Sequence, residues 1–146
     1  MQNRETVKAM EPRTILVVDD QPHIIESLKF LFESENYNVI TAENSQQARE
    51  KVKDHRLDLV ILDIMMPEKD EDAGMVNPEA GIDLLREWGE TDSSMKGIPL
   101  VLLSARSKKN NPEKLNHNVK AYFEKPFDMN DLLGEVKSLT GRNIDH

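Results

Sequence analysis

The sequence predicts an α/β fold in which helices cover both faces of a mostly parallel five-stranded sheet. Short apolar runs of strand length alternate with amphipathic or polar stretches of helix length along most of the 146 residues. Several of the apolar runs are rich in β-branched residues, as strands buried on both faces are. Strands that alternate with helices imply right-handed crossovers, which place the helices in two layers that flank the sheet.

The first part of the chain predicts two strand–helix pairs. Thr14–Val18 (TILVV) has the composition of a buried strand, and residues 21–34 place apolar side chains on one helical face, with Pro22 in the first turn. Residues 37–42 (YNVITA) alternate as a half-exposed strand does. Ser45–Asp54 is polar, and we predict a helix that is capped by the hydroxyl of its first residue.

The middle of the chain predicts two further strands, one helix and a long loop. Residues 57–62 (LDLVIL) form an apolar strand, and residues 64–79, with their prolines and glycine, form the loop after it. Residues 80–89 (AGIDLLREWG) are predicted as a helix. Residues 98–103 (IPLVLL) are predicted as a strand.

The last part of the chain predicts one weak and one strong helix. Residues 106–118 contain several asparagines and an internal proline, so any helix there is short or frayed. Residues 120–123 (KAYF) form a short strand. Residues 128–139 form a helix that Asp128 caps, and Gly141 lies just beyond its end, where helices often stop.

Composition and charge exclude several classes of protein. The net charge of −8 argues against nucleic acid or an anionic membrane surface as a direct partner, because binding to either needs a basic face. The chain has no cysteine, so disulfides and thiolate zinc sites are absent. No apolar run has the about 18 residues that a membrane span needs, and residues 1–12 lack the apolar core of a secretory signal. We therefore expect a cytoplasmic protein of one domain, at residues 13–141, with a flexible arm at residues 1–12 and a tail at residues 142–146.

Polar residues follow the predicted strands where the strands end. The first strand is followed by Asp19 and Asp20, the third by Asp63, the fourth by Ser104, and the fifth leads to Lys125. In a parallel sheet the carboxyl ends of the strands form the edge at which ligands bind. Any one of these residues alone reads as a cap or a turn residue, but five of them at one edge indicate a site.

The chemistry of that edge favours a phosphoryl group. Three neighbouring carboxylates repel, so either some remain protonated or a cation lies among them. An oxygen cluster without histidine or cysteine suits Mg²⁺ better than Zn²⁺. An ammonium and a hydroxyl beside it are partners for an incoming anion. The set predicts a phosphoryl site in which a carboxylate can act as the nucleophile.

Four motifs identify a family that the sequence resembles. They are ILVVDDQP, LVILDIMMP, VLLSA and YFEKPF, and they span roughly residues 13–140 in this order. The sequence resembles the receiver domain of two-component response regulators, of the single-domain kind that chemotaxis regulators represent. The resemblance implies a flavodoxin-like (βα)5 fold, a doubly wound three-layer sandwich with strand order 2-1-3-4-5.

The resemblance also implies roles for residues at the sheet edge. Asp63 would be the phosphoacceptor, and it would hold Mg²⁺ together with Asp19, Asp20 and the backbone carbonyl of Met65. Ser104 and Lys125 would each bind a phosphoryl oxygen and so would share the catalytic role with Asp63.

Further implied features concern the switch and the partners. Ser104 and Tyr122 would be the switch residues, and the Lys125–Pro126 peptide bond would be cis. A sensor histidine kinase or a His-containing phosphotransfer protein would donate the phosphoryl group from a phosphohistidine. A downstream target protein would then recognise the altered surface, in phosphorelay signal transduction. The protein would not be an enzyme beyond its own phosphorylation and autodephosphorylation at Asp63. Met65 and Arg106 occupy the positions that tune this hydrolysis in the family. Because Met65 is bulky and apolar, Arg106 is long and neither positions a water well, we expect the hydrolysis to be slow.

One departure from the family pattern is an acidic insertion at about residues 68–80. The glycine expected soon after the acceptor is Gly81 here, at the start of the predicted helix. The extra loop is either a solvated surface insertion, or a docking element or lid beside the acceptor.

Two other classes of function remain to be weighed against a receiver. A receiver-shaped interaction module that ignores phosphate is the main alternative, although such modules typically lack the acceptor or the lysine, and both are present here. A metal-dependent phosphohydrolase would place two aspartates one residue apart, whereas Asp19 and Asp20 are adjacent.

Overall fold

A computed structural model describes residues 12–65, 80–90, 95–104 and 116–141. Several predicted segments lie outside these ranges. They are residues 1–11 of the arm, the acidic insertion up to residue 79, most of the weak segment 106–118 including Arg106, and the tail at residues 142–146. Within them, no helix has both the length and the apolar character to cross a bilayer. The elements, in chain order, are β1 Thr14–Val18, α1 Pro22–Ser34, β2 Asn38–Ala42, α2 Ser45–Asp54, β3 Leu59–Asp63, α3 Ala80–Trp88, β4 Leu100–Ser104, β5 Val119–Glu124 and α4 Met129–Leu139.

The five strands form one parallel sheet in the order β2-β1-β3-β4-β5. This confirms the predicted α/β class and the strand order 2-1-3-4-5 of the doubly wound, flavodoxin-like fold. The order reverses direction beside β1, so β1 and β3 lie side by side at the point where crossovers to the two faces diverge. The carboxyl ends of β1 and β3 therefore border the crevice in which such folds bind ligands.

The core consists of two apolar clusters, one on each face of the sheet. Ile15 and Val17 of β1 point to the face that α1 and α4 cover, whereas Leu16 and Val18 point to the face of α2 and α3. All four of these side chains are completely buried. Because successive side chains of a strand point to opposite faces, a strand in the middle of this sandwich needs apolar residues without alternation. The uninterrupted run in β1 follows from that requirement.

The helix ends confirm one predicted cap and correct another. The carboxylate of Asp128 accepts hydrogen bonds from the backbone N–H groups of the two residues after Met129, as predicted for α4. The cap of α2 is Asn44 and not Ser45, because the side chain of Asn44 accepts the N–H of Gln47 at 2.8 Å. Both residue types suit the cap position. Asn44 has an extended backbone and is the N-cap, so Ser45 is the first residue of the helix itself.

The first turn of α3 packs directly on the backbone beside the third strand. A Cβ atom placed on Gly81 would lie 2.3 Å from the carbonyl oxygen of Ile64, the residue that follows Asp63. Only a residue without a side chain permits this approach. Gly81 in α3 is therefore held against the backbone of Ile64, the residue next to the predicted acceptor Asp63.

We expect Gly81→Ala to lower the free energy of unfolding by about 1–3 kcal/mol, because the added methyl group meets backbone atoms that cannot move aside cheaply. Gly134→Ala is a matched control, since a Cβ there meets nothing within 4 Å in the exposed middle of α4. That change should raise the free energy of unfolding by about 0.5–1 kcal/mol through helix propensity. Urea unfolding measures both values. Equal stability of Gly81→Ala and the wild type would contradict the tight contact.

Candidate functional site

Backbone hydrogen bonds fix the two central aspartates at the sheet edge. Asp19 directly follows β1, and its N–H donates to the carbonyl of Ala42 in β2 at 3.0 Å. Asp63 is the last residue of β3, and the next N–H, that of Ile64, donates to the carbonyl of Leu103 in β4 at 3.0 Å. The pairing of the strands therefore continues to the residues that carry the carboxylates, which leaves their backbones little freedom.

A second pair of residues is fixed at the same edge by β4 and β5. Ser104 ends β4 and is buried, and its carbonyl accepts the N–H of Lys125 at 2.7 Å. The Lys125–Pro126 peptide bond is cis, as the resemblance to the family predicted. Lys125 directly follows β5, and its side chain reaches the aspartates at the ends of β1 and β3.

The ammonium group of Lys125 joins the two buried aspartates. Its Nζ atom lies 2.8 Å from Asp19 Oδ2 and 3.2 Å from Asp63 Oδ2. The side chain of Asp19 is fully buried and that of Asp63 is 4% exposed, so these ion pairs lie away from bulk water. Because one ammonium serves two aspartates, loss of Lys125 would leave two buried carboxylates uncompensated, which is costly, whereas loss of Asp63 would leave Lys125 paired with Asp19.

The carboxylates of Asp19, Asp20 and Asp63 form one cluster. One oxygen of each lies within 4.8 Å of an oxygen of the others, and Asp20 is the more exposed member. Three carboxylates against one ammonium leave the cluster two negative charges in excess if all of them ionise. The donor set, oxygens without nitrogen or sulfur, fits a hard divalent cation such as Mg²⁺.

The electrostatics of the cluster show the same excess of negative charge. Burial, followed by the charge of Asp19, raises the pKa of Asp63 to about 7, although Lys125 and the N–H of Met65 act in the opposite direction. Burial and then Asp19 also raise the pKa of Asp20. Burial by itself lowers the pKa of Lys125, but the hydrogen bond to Asp19 and the charge of Asp63 outweigh it and raise the pKa. The lysine remains charged, and the carboxylates compete for its charge.

The remaining predicted site residues lie close by in the fold. Met65 donates its N–H to Asp63 Oδ1 at 3.1 Å, and its side chain is half-buried. Tyr122 lies in β5 opposite Leu102, and its partly buried side chain packs on the core cluster beneath α2 and α3. Two residues further along the same pair of strands, Ser104 lies opposite Glu124. The structure thus places Ser104 and Tyr122 on adjacent strands, near the edge. Their switch roles and the metal-binding role of the Met65 carbonyl remain predictions.

Gln21 belongs to the site, although the sequence analysis treated it only as the start of a helix. Its Oε1 atom accepts a hydrogen bond from Lys125 Nζ at 2.8 Å, and its N–H donates to Asp19 Oδ1 at 2.9 Å. The available signal was its position, directly after the acidic pair and at a helix N-cap, where glutamine is not among the favoured residues.

Comparison with known proteins identifies the family. The model of the response regulator receiver domain matches residues 15–137, and the chain belongs to this family. Its function is that of a receiver in phosphorelay signalling. Among solved structures, the response regulator TrrA of Thermotoga maritima, determined in complex with Mg²⁺-BeF, is 33% identical with a TM-score of 0.68. The match covers 87% of this chain and 98% of TrrA.

Curated relatives show how the family match extends over longer and shorter proteins. The phosphate regulon transcriptional regulatory protein PhoB of Pseudomonas aeruginosa is 31% identical over 134 residues, which are 91% of this chain and 54% of PhoB. The polar-differentiation response regulator DivK of Brucella anthropi is 24% identical, over 89% of this chain and 98% of DivK. The chain therefore spans about half of PhoB and nearly all of DivK.

The raised pKa of Asp63 predicts how the stability of the metal-free protein depends on pH. The folded state holds a proton on Asp63 that the unfolded state releases at its ordinary pKa of 3.8. The free energy of unfolding should therefore fall as the pH rises from about 4 to about 7 and should level off above that. Asp63→Asn should remove much of this fall and stabilise the metal-free protein by about 1–3 kcal/mol at a pH of about 8.

Urea unfolding in the presence of a chelator, at a pH of about 5 and of about 8, measures this effect. The difference between wild type and Asp63→Asn isolates the one carboxyl group from all other titrating groups. The same pH dependence in both proteins would contradict the raised pKa.

Proposed function

We propose that Asp63 is the phosphoacceptor of this receiver and that it takes a phosphoryl group from a phosphohistidine of a partner protein. One observation carries the proposal: the Asp63 carboxylate lies at the carboxyl end of β3, bound by the Lys125 ammonium and clustered with Asp19 and Asp20. No other arrangement among the described residues joins a buried carboxylate to both a lysine and two further acids.

The geometry supports Asp63 as a nucleophile with restricted orientation. The N–H of Met65 holds Oδ1, and Lys125 holds Oδ2, so the carboxylate has little freedom to rotate. A fixed nucleophile lowers the entropic cost of reaching the reactive geometry. Burial, together with the charge of Asp19, keeps the pKa of Asp63 high, so an additional positive charge would favour the ionised, reactive form.

We propose that Asp19, Asp20, Asp63 and the carbonyl of Met65 hold Mg²⁺. Bound there, the ion would supply positive charge that offsets the negative charge of the transferring group. The carboxylate cluster and its excess of charge support this assignment, as does the Mg²⁺-BeF complex of the similar protein TrrA.

The proposed transfer step uses these residues, the Mg²⁺ that they would hold and the phosphohistidine donor. An oxygen of Asp63 forms a bond to phosphorus while the bond between phosphorus and the histidine nitrogen breaks, and the imidazole keeps the electron pair. Lys125 and Ser104 bind phosphoryl oxygens. The product is an acyl phosphate on Asp63, and water later hydrolyses it. We propose that the chain catalyses only this phosphorylation of itself and the later hydrolysis of the acyl phosphate, which releases inorganic phosphate and restores the Asp63 carboxylate.

We propose that phosphorylation changes the surface around β4 and β5. Ser104 and Tyr122 lie on paired strands, with Leu102 opposite Tyr122 and Ser104 opposite Glu124. A movement of the Ser104 hydroxyl toward the phosphoryl group would change the space next to the partly buried ring of Tyr122. A target protein that prefers the new surface shifts the equilibrium by its difference in affinity for the two states.

The proposed donors are a sensor histidine kinase or a His-containing phosphotransfer protein in the cytoplasm. A solved complex of TrrA with the histidine kinase ThkA, in which the similar chain is 32% identical, supports a kinase as partner. The net charge of −8 argues against direct binding of nucleic acid or membrane by the chain. We propose that the receiver comprises residues 13–141, with the arm at residues 1–12 before it and the tail at residues 142–146 after it. We also propose an acidic insertion at about residues 68–80, which the close packing of Gly81 on the backbone of Ile64 supports.

We expect a small phosphodonor with Mg²⁺ to add one phosphoryl group to the wild type, measured by intact mass. Asp63→Asn should add none, and a chelator should prevent the addition. Asp83→Asn is a control, because this carboxylate lies in α3 and pairs only locally with Arg86. Equal incorporation in Asp63→Asn would contradict the assignment. No incorporation in a wild type that binds Mg²⁺ would favour a phosphate-independent interaction module.

We expect the phosphorylated protein to lose its phosphoryl group slowly, because the apolar Met65 beside Asp63 cannot orient an attacking water. Met65→Asn should shorten the lifetime by about three- to tenfold, since an amide can hold that water. The decay of the phosphorylated mass after removal of the donor measures both lifetimes. A wild-type lifetime of seconds that Met65→Asn leaves unchanged would contradict this view.

A further inference from the structure

Gln21 closes a ring of hydrogen bonds that contains Lys125 and Asp19. The N–H of Gln21 donates to Asp19 Oδ1 at 2.9 Å, Lys125 donates to Asp19 Oδ2 at 2.8 Å, and Lys125 also donates to Gln21 Oε1 at 2.8 Å. The ring connects residues at the two ends of the domain, which are 104 positions apart in the chain. It holds both oxygens of Asp19 and two of the protons of the ammonium group.

The ammonium group of Lys125 has as many protons as acceptors. A protonated lysine donates at most three hydrogen bonds, and Asp19, Gln21 and Asp63 accept one each. The contact with Asp63, at 3.2 Å, is longer than the two contacts of 2.8 Å. A phosphoryl oxygen that arrives at Asp63 is a fourth acceptor, so one existing contact has to give way. The longest contact is the one to the carboxylate of Asp63, whose own charge is lost when it forms the acyl phosphate, while the phosphoryl oxygens bring new charge.

The side chain of Gln21 contributes nothing to the helix that it precedes. Gln21 is the N-cap of α1, with an extended backbone, and its side chain makes no capping hydrogen bond. Only its carbonyl serves the helix, by accepting the N–H groups of Ile24 and Ile25 at 3.1 Å each. Serine, threonine, aspartate or asparagine would cap this helix better. The length of the glutamine side chain instead brings its oxygen to Lys125.

We propose that Gln21 is a positioning residue for phosphoryl transfer. Together with Asp19 it anchors the ammonium of Lys125, so that the third N–H points at Asp63 and can redirect its hydrogen bond to the incoming phosphoryl oxygen. The inference rests on the proposed role of Asp63 as acceptor. Without the amide oxygen, Lys125 keeps a single short contact and regains freedom about its flexible side chain, which the transfer reaction must then restrict.

Two substitutions separate this role from the other roles that the position could have. Gln21→Asn places a better capping residue at the start of α1, but its shorter side chain does not reach Lys125. Gln21→Met keeps the length and bulk of the side chain and replaces the amide oxygen with a sulfur that accepts hydrogen bonds weakly. Gln46→Asn is the matched control, because Gln46 is an exposed residue in the first turn of α2.

Three measurements on the full chain test the proposal. The rate of phosphoryl incorporation from a small phosphodonor should fall by roughly three- to tenfold in both Gln21 variants and should not change in Gln46→Asn. Urea unfolding should show that Gln21→Asn is at least as stable as the wild type. In the metal-free protein, the side-chain ¹⁵N–¹H signal of the Lys125 ammonium should be protected from exchange with water, and this protection should be lost in both variants.

Each other outcome contradicts the proposal in a different way. A normal rate in Gln21→Asn would mean that the contact with Lys125 does not set the rate of transfer, and a normal rate in Gln21→Met would mean that only the bulk of the side chain matters. An unprotected Lys125 signal in the wild type would contradict the ring of hydrogen bonds itself. A wild type that accepts no phosphoryl group would overturn the proposed function, whereas the exchange measurement would still decide whether Gln21 anchors Lys125.

Discussion

The buried ion pairs of Lys125 are the interaction on which the rest of the site depends. One ammonium group lies between Asp19 and Asp63, and a third carboxylate, Asp20, lies next to them. A cluster with more acids than bases is unfavourable in a site with little water, and burial together with the charge of Asp19 accordingly raises the pKa of Asp63 to about 7. The fold maintains the arrangement because all of these residues follow strands whose pairing fixes the backbone.

The same charge imbalance connects stability with function. A site with more carboxylates than ammonium groups favours the binding of a cation and disfavours the ionised form of the carboxylates. The metal-free protein is therefore less stable than the same protein with a cation bound at this site would be. The proposed phosphorylation of Asp63 would change the balance again, because it would replace a carboxylate by a group with more charge and more acceptor oxygens. Lys125 would be the group that responds, and the residues that hold it, Asp19 and Gln21, would therefore influence its response.

The strands and the main site residues could be predicted because they depend on local patterns. Buried central strands need uninterrupted apolar runs, and polar residues that end such strands must meet at one edge of a parallel sheet. The predicted helix cap of α2 was wrong by one residue, because Asn44 and Ser45 are adjacent and both residue types favour the N-cap position. Gln21 could not be predicted in this way, because its contact with Lys125 depends on the relative positions of β1 and β5, which are separated by the whole length of the domain. The close contact between Gly81 and Ile64 has the same origin, although the glycine itself was visible in the sequence.

Calorimetric titration of the metal-free protein with Mg²⁺, in two buffers with different ionisation enthalpies, tests the central claim most directly. At a pH of about 7 we expect one binding site and the release of a fraction of a proton, because bound Mg²⁺ would displace the proton that the raised pKa keeps on part of the Asp63 carboxyl groups. In Asp63→Asn the proton release should disappear and the affinity should fall. Binding without proton release in the wild type, or no binding at all, would contradict the view that this site is built around an excess of negative charge.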